Sequence, residues 1–232
     1  MEQKVMVITG AYSGLGAALT KAALKKGYKL ALGGKDFAKL EAFCNELGQP
    51  GDVVAVACDV TQQMDCFTLI EEAVKMFGRV DVLINNAGVL KNSPINKITP
   101  DELWDAFETN VFGVVFCCQA ALNVMKKQNS GLILNIGSTT VIDYKPNHVS
   151  YGASKSAVVG LTGNLRKELE GTGITACVFS PGGMKTNLFR DTPDKDLSGY
   201  MEPSFVAEKI MGYIEAPIKD WHVVLRRPAA QK

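Results

Sequence analysis

The sequence holds only two histidines, His148 and His222. They stand far apart, which argues against a histidine-based metal site, and no metal is expected. Neither sign of charge dominates: 25 Lys and Arg face 24 Asp and Glu, a formal net charge of +1. No basic excess points to nucleic acid, and no acidic run points to a solvating tail. Long apolar runs are missing too. The longest, Val111–Cys118, is too short to span a bilayer, so no membrane partner is expected. Six cysteines occur (Cys44, Cys58, Cys66, Cys117, Cys118 and Cys177) but in no C-x-x-C spacing, and no signal-peptide pattern precedes the first apolar stretch. They read as reduced thiols in a cytoplasmic protein. Cys58 and Cys177 lie in or beside apolar runs, as small buried hydrophobes do.

What is present is apolar and small. Apolar residues make up 47%, which excludes disorder. A chain of 232 residues can bury roughly 70–75% of its unfolded surface and needs no disulfide or structural metal. Glycine is in excess, with 22 residues where average usage gives roughly 16. Such an excess marks either loose loops or close approach of backbone to a ligand.

Strand-like and helix-like segments alternate along the chain. Short buried strands are expected at Lys4–Thr9, Lys29–Gly33, Val53–Ala57, Val82–Asn85, Leu132–Ile136, Ile174–Phe179 and His222–Leu225. Leu15, Ala18, Leu19, Ala22 and Ala23 repeat at helical spacing and end at Gly27. Phe37, Leu40, Phe43 and Leu47 make a second helix, stopped by Gly48 and Pro50. Phe67, Ile70, Val74 and Phe77 line a third, ending at Gly78. Thr99 caps a long helical stretch reaching about Lys127. Tyr151–Glu170 and Ser204–Glu215 complete the set, the latter with Ser204 as its cap. The strands lack alternation because both faces are buried. The fold class is therefore α/β: one doubly wound parallel sheet of about seven strands with helices on both faces. No linker or repeat divides it, so residues 1–232 read as a single domain. Asn187–Pro203 has no clear period and holds Pro193, Asp194, Asp196 and Gly199. It is the candidate mobile loop, placed to cover a substrate.

Thr9-Gly10-Ala11-Tyr12-Ser13-Gly14-Leu15-Gly16 joins the first strand to the first helix. A glycine-rich turn there lets backbone N–H groups approach a pyrophosphate at a helix N-terminus. The spacing is G-x-x-x-G-x-G rather than the common G-x-G-x-x-G. A tight turn without a ligand is the plain alternative.

With this loop the chain resembles the short-chain dehydrogenase/reductase family, whose pattern is T-G-x-x-x-G-x-G. Further family motifs follow in order. Asp59-Val60 stands where the family contacts the adenine ring, and Asn85-Asn86-Ala87-Gly88 matches its N-N-A-G motif. Asn110 falls at its structural and catalytic Asn. Ser138, Tyr151 and Lys155 match S-x12-Y-x-x-x-K, and Pro181-Gly182 with Thr186 matches P-G-x-x-x-T. The resemblance spans nearly the whole chain. It implies a Rossmann-type domain whose cofactor contacts come from Gly10, Tyr12, Ser13, Gly14, Leu15, Gly16, Asp59, Val60, Asn86, Ala87, Gly88, Tyr151, Lys155, Pro181, Gly182 and Thr186. Thr186 would bind the nicotinamide carboxamide; otherwise it is the N-cap of a short helix.

An acidic residue ending the second strand would bond a ribose 2′-hydroxyl and repel a 2′-phosphate. Family members that prefer NAD carry Asp at the position of Gly34; those that prefer NADP often carry a base at that of Lys35. Gly34 and Lys35 together predict NADP(H), with NAD(H) possible. Asp36 would qualify this if a shifted turn aimed it at the ribose.

Tyr151 and Lys155 lie four residues apart in a helix and share a face. A tyrosine near its ordinary pKa of ~10 is a poor base, and a nearby ammonium favours the phenolate. By resemblance, Tyr151 passes the proton as hydride moves, Ser138 bonds the substrate oxygen, and Lys155 also holds the nicotinamide ribose. Asn110 orders a water that links Lys155 to solvent. His148 reads as a solvated loop histidine, with a substrate contact as the alternative, and His222 beside Trp221 as structural. The expected partner is a small-molecule carbonyl or alcohol, with reduction the favoured direction.

A non-catalytic NADP(H) sensor or scaffold is the rival reading, although that class often lacks the Tyr or Lys. The sugar-nucleotide epimerase branch needs a larger C-terminal domain than the residues after Pro181 provide. The Trp221–Pro228 segment departs from the ending of ketoacyl reductases, which lowers the case for acyl-carrier substrates. The family also implies a homodimer or homotetramer, built on the helices at about Asp101–Lys127 and Tyr151–Glu170. Ala153, Ala157, Gly160 and Gly163 permit close approach there, or equally serve packing on the sheet.

Overall fold

The structure, a computed structural model, describes residues 3–49, 51–189 and 196–227. Seven strands form one sheet: β1 (Val5–Thr9), β2 (Lys29–Gly34), β3 (Val53–Ala57), β4 (Val82–Asn85), β5 (Gly131–Ile136), β6 (Ile174–Pro181) and β7 (His222–Leu225). All pair in parallel, in the order β3-β2-β1-β4-β5-β6-β7. The chain builds outward from β1 to β3 and then returns to the other side of β1. The strand order therefore reverses between β1 and β4, and their C-terminal ends diverge into a crevice.

Helices cover both faces. On one side lie α1 (Gly14–Lys25), α2 (Phe37–Leu47) and α7 (Pro203–Glu215). There Leu19, Leu40 and Ile210 meet Met6, Ile8, Leu32 and Ile84 of the sheet. On the other lie α3 (Gln63–Phe77), α5 (Gly113–Gln128) and α6 (Val149–Glu168). There Leu69, Val114, Met125 and Val158 meet Val7, Ala31, Leu83 and Ile133. Successive strand residues feed opposite cores, so the strands are mostly apolar, with the buried Asn85 in β4 and Asn135 in β5 as polar exceptions. Burying one such side chain contributes roughly 1.5–3 kcal/mol.

Two expectations need correcting. The stretch from Thr99 to about Lys127 is not one α-helix. Thr99 does cap α4 (Pro100–Phe107), accepting from the Glu102 N–H at 3.2 Å. A π-helical turn, Glu108–Phe112, then separates α4 from α5 and carries Asn110. Such single turns insert an extra residue and cluster at functional sites. Ser204 does not cap α7. Glu202 stands at the cap and Pro203 opens the helix, where a missing N–H costs nothing.

Within Asn187–Pro203 the structure describes the two ends. Residues 187–189 form a 3₁₀ turn. Met201 donates to the Gly183 carbonyl at 3.1 Å and accepts from the Lys185 N–H at 3.0 Å, pinning the end of the stretch. Pro193 and Asp194 lie outside the described residues. All six cysteines are free thiols.

Candidate active site

The crevice starts at the glycine turn. Ser13 precedes α1 without a side-chain cap, so the first N–H groups of α1 stay open to an anion. Gly14 takes φ +52°, a left-handed conformation that favours glycine. A β-carbon on Gly16 would stand 2.1 Å from the Gly10 carbonyl oxygen, so this position admits glycine alone.

Across the crevice, the N-N-A-G segment is bonded to this turn. The Asn86 side-chain amide donates to the carbonyls of Thr9 (2.9 Å) and Gly10 (3.1 Å). The Thr9 hydroxyl accepts from the backbone N–H groups of Asn86 (3.0 Å) and Ala87 (3.1 Å). The glycine motif by itself assigns Thr9 no role. Its position beside Gly10 was the available signal.

One cavity of about 490 Å³ follows the crevice. Every expected site residue lines it except Gly16 and Asn110. At one end, Lys35 and Asp59 form an ion pair at 2.7 Å. Burial pushes the Asp59 carboxyl up, but bonds from Lys35 and Thr61 outweigh it and hold the group below its usual range. Asp36 is turned away from this end. It caps α2, accepting from the Lys39 N–H at 3.2 Å, and pairs with the Lys39 ammonium. The Tyr12 ring packs over Gly34.

At the other end stand Ser138, Tyr151 and Lys155, all buried. The Lys155 ammonium donates to the Ile136 carbonyl at 2.8 Å and lies 5.9 Å from the centre of the Tyr151 ring. Burial lowers the Lys155 pKa to about 8. Burial also pushes Tyr151 up to about 12, against a hydrogen bond from Ser138 that favours the anion. The expectation that Lys155 brings the phenol down is thus reversed among the protein's own groups. Desolvation of the phenolate outweighs the Ser138 bond.

Asn110 acts through position. From the π-helical turn its side chain accepts from the Val89 N–H and donates to the Val89 carbonyl and the Ser154 hydroxyl, each at 2.9 Å. It thereby ties the loop after β4 to α6. A β-carbon on Gly88 would stand 3.1 Å from the Asn110 Oδ1, which keeps that loop close.

His148 departs from its expected solvated state. It is buried, paired with Ser93 in a β-bridge, and meets the Tyr151 ring edge-on at 6.1 Å between centres. The bridge draws it in just before α6 begins. His222 bonds Ser180 at 2.9 Å and is structural, as expected. Thr186 accepts from the Leu188 N–H at 3.4 Å while lining the cavity, so both of its readings hold a place. A buried ladder went unforeseen. The Asn85 amide donates to Asn135, and the Asn135 amide to Thr162, each at 2.8 Å, joining β4, β5 and α6 beneath the site.

A parallel sheet with helices on both faces, and a glycine turn where its strand order reverses, defines a Rossmann-type fold. The chain belongs to the short chain dehydrogenase family, whose profile matches residues 4–197. An uncharacterized oxidoreductase of Staphylococcus aureus is 35% identical over 221 residues, covering 94% of this chain and 93% of that protein. Among solved structures, a short chain dehydrogenase/reductase from Burkholderia phymatum in complex with NAD superposes with a TM-score of 0.90. It is 26% identical and covers 96% of this chain and 89% of its own. An alcohol dehydrogenase from the archaeon Thermococcus sibiricus, complexed with 5-hydroxy-NADP, gives a TM-score of 0.88 at 28% identity, covering 100% of this chain and 99% of its own.

Proposed function

We propose that the protein is an NADP(H)-dependent reductase of a ketone or aldehyde, giving the alcohol. The observation that carries this is one cavity that runs from the glycine turn, Lys35 and Asp59 to the buried Tyr151 with Ser138 and Lys155 beside it. The residues fit the cofactor. Gly16 leaves room where any β-carbon would collide, and the uncapped start of α1 suits a pyrophosphate. Gly34 places no carboxylate at the ribose, and Lys35 adds a cation for a 2′-phosphate.

When bound, the cofactor supplies hydride to the carbonyl carbon. Ser138 donates a hydrogen bond to the carbonyl oxygen and holds it near Tyr151. The Tyr151 hydroxyl gives its proton to that oxygen as negative charge develops. The phenol is protonated at neutral pH and so can donate the proton that reduction needs. Lys155, held by the Ile136 carbonyl, keeps a positive charge close to the phenolate that remains. Asn110 fixes the backbone on which Gly88 and Ser154 stand. Assay of NADPH oxidation against a panel of ketones and aldehydes tests the reading. Cofactor binding without turnover of any panel member, by wild type and Tyr151→Phe alike, would count for a sensor instead.

The same reading includes a homodimer or homotetramer in the cytoplasm. Leu103, Trp104 and Phe112 are exposed on the helical run through α4 and α5, and Gly160 on α6 is open. Gly163 does not serve such a contact, because it meets the Trp221 ring. Light scattering after size exclusion decides the state.

A further inference from the structure

A second cleft, of about 740 Å³, adjoins the cavity just described and shares Thr139, Lys145 and Gly182 with it. It brings three cations together: Lys145, Arg226 and Arg227. Arg226 is neutralised by Asp143, at 3.0 and 3.2 Å. Glu202, also on the cleft, is paired with Lys185 at 2.6 Å. Both carboxylates of the cleft are therefore occupied. Among the described residues, no carboxylate pairs with Lys145 or Arg227.

Arg227 is held for display. The central carbon of its guanidinium lies 4.5 Å from the centre of the Tyr200 ring, a cation–π contact that holds the side chain on the cleft. Two glycines make room for this arrangement. A β-carbon on Gly182 would stand 3.1 Å from the Arg227 side chain, and one on Gly183 would stand 2.4 Å from the Tyr200 ring. Neither arginine lines the dinucleotide cavity, so these charges are not placed for its phosphates. Met201 and Phe205 add an apolar wall to the same cleft.

We infer that the substrate is an anionic carbonyl compound whose carboxylate or phosphate is held by Arg227 and Lys145. The inference rests on the carbonyl-reductase reading above. A carbonyl between Ser138 and Tyr151 has Thr139, the next residue, as its neighbour on the way into the cleft. A short hydrocarbon spacer lies along Met201 and Phe205, and the anionic end reaches the two cations. Arg227 offers a planar fork suited to either anion, and Lys145 a point charge.

The test uses purified protein, NADPH and oxo acids of increasing chain length from levulinate upward, each with its methyl ester. Dihydroxyacetone phosphate provides the phosphate arm. The acid is expected to exceed its ester in kcat/KM by about tenfold at low salt, with the advantage shrinking as salt rises. Arg227→Gln and Lys145→Gln should each cut the acid-to-ester ratio about tenfold. The better of the two anions identifies the natural tail. A second readout needs no turnover: calorimetric binding of levulinate, its ester and dihydroxyacetone phosphate to Tyr151→Phe with NADP⁺. Anion binding that Arg227→Gln removes, with no ketone turned over by wild type, upholds the anion site and overturns the reductase reading. Equal handling of acid and ester, a ratio unmoved by Arg227→Gln, or no anion binding overturns the anion site.

Discussion

The Tyr12 ring lies 2.6 Å from the point where a β-carbon on Gly34 would stand. The residue that ends β2 and the residue inside the glycine turn are thus chosen together. Gly34→Asp introduces both a charge and a collision. It should weaken NADPH binding by about tenfold or more, equivalent to about 1.4 kcal/mol. NADH affinity should rise only when Tyr12→Ser accompanies it. Fluorescence titration of wild type, single and double variants with both cofactors reads this. Wild type that binds NADH as tightly as NADPH would end the NADP(H) assignment.

Lys35 contributes through a mostly exposed contact, with its side chain 76% accessible. Lys35→Ala should lower NADPH affinity a few-fold, and the loss should shrink at high salt, as screened surface charges do. NADH affinity should stay put. Parallel titrations at two ionic strengths separate these outcomes.

Tyr151→Phe removes the proton and leaves the ring. Turnover should fall by roughly 10²–10⁴, the usual worth of a positioned acid. Cofactor affinity should persist, because the Lys155 bond to Ile136 does not involve the phenol. A variant that still turns over would refute the proton-transfer role.

The pH profile follows from two buried groups. Tyr151, pushed up to about 12, stays protonated and ready to donate through the neutral range. Lys155, lowered to about 8 by burial, is charged below that value and loses its charge above it. Reductive kcat/KM should therefore be level below about pH 8 and fall above it. Oxidation, which needs the phenolate, should have the more alkaline optimum. Residual activity of Lys155→Met should lack the break, and a break that persists in it belongs to another group.

Thr9→Val keeps shape and deletes the acceptor for two N–H groups. An unsatisfied buried polar group costs about 1–3 kcal/mol, so unfolding free energy should drop by at least that much. Thr9→Ser should restore it. Urea denaturation of the three proteins checks the difference, and an unchanged Thr9→Val would mean that water replaces the hydroxyl.

The strands were legible because burial on both faces writes itself as short apolar runs, and β3, β4 and β7 have the boundaries read from sequence. The glycine turn and the Ser138, Tyr151 and Lys155 triad were legible as spaced residue types, and one cavity gathers them. What escaped depends on partners distant in sequence. The π-helical turn at Asn110 answers to Val89 and Ser154, which no helical periodicity encodes. His148 looked like a loop residue until its bridge to Ser93 buried it. The phenol's elevation depends on how completely the fold covers it, whereas the four-residue spacing to Lys155 suggested the reverse.

The grip of Asn86 on both Thr9 and Gly10 has a kinetic consequence. The two banks of the crevice keep a width set by the protein's own bonds, so an arriving dinucleotide meets a rigid slot. Little ordering entropy is then lost on association, and capture is governed by encounter.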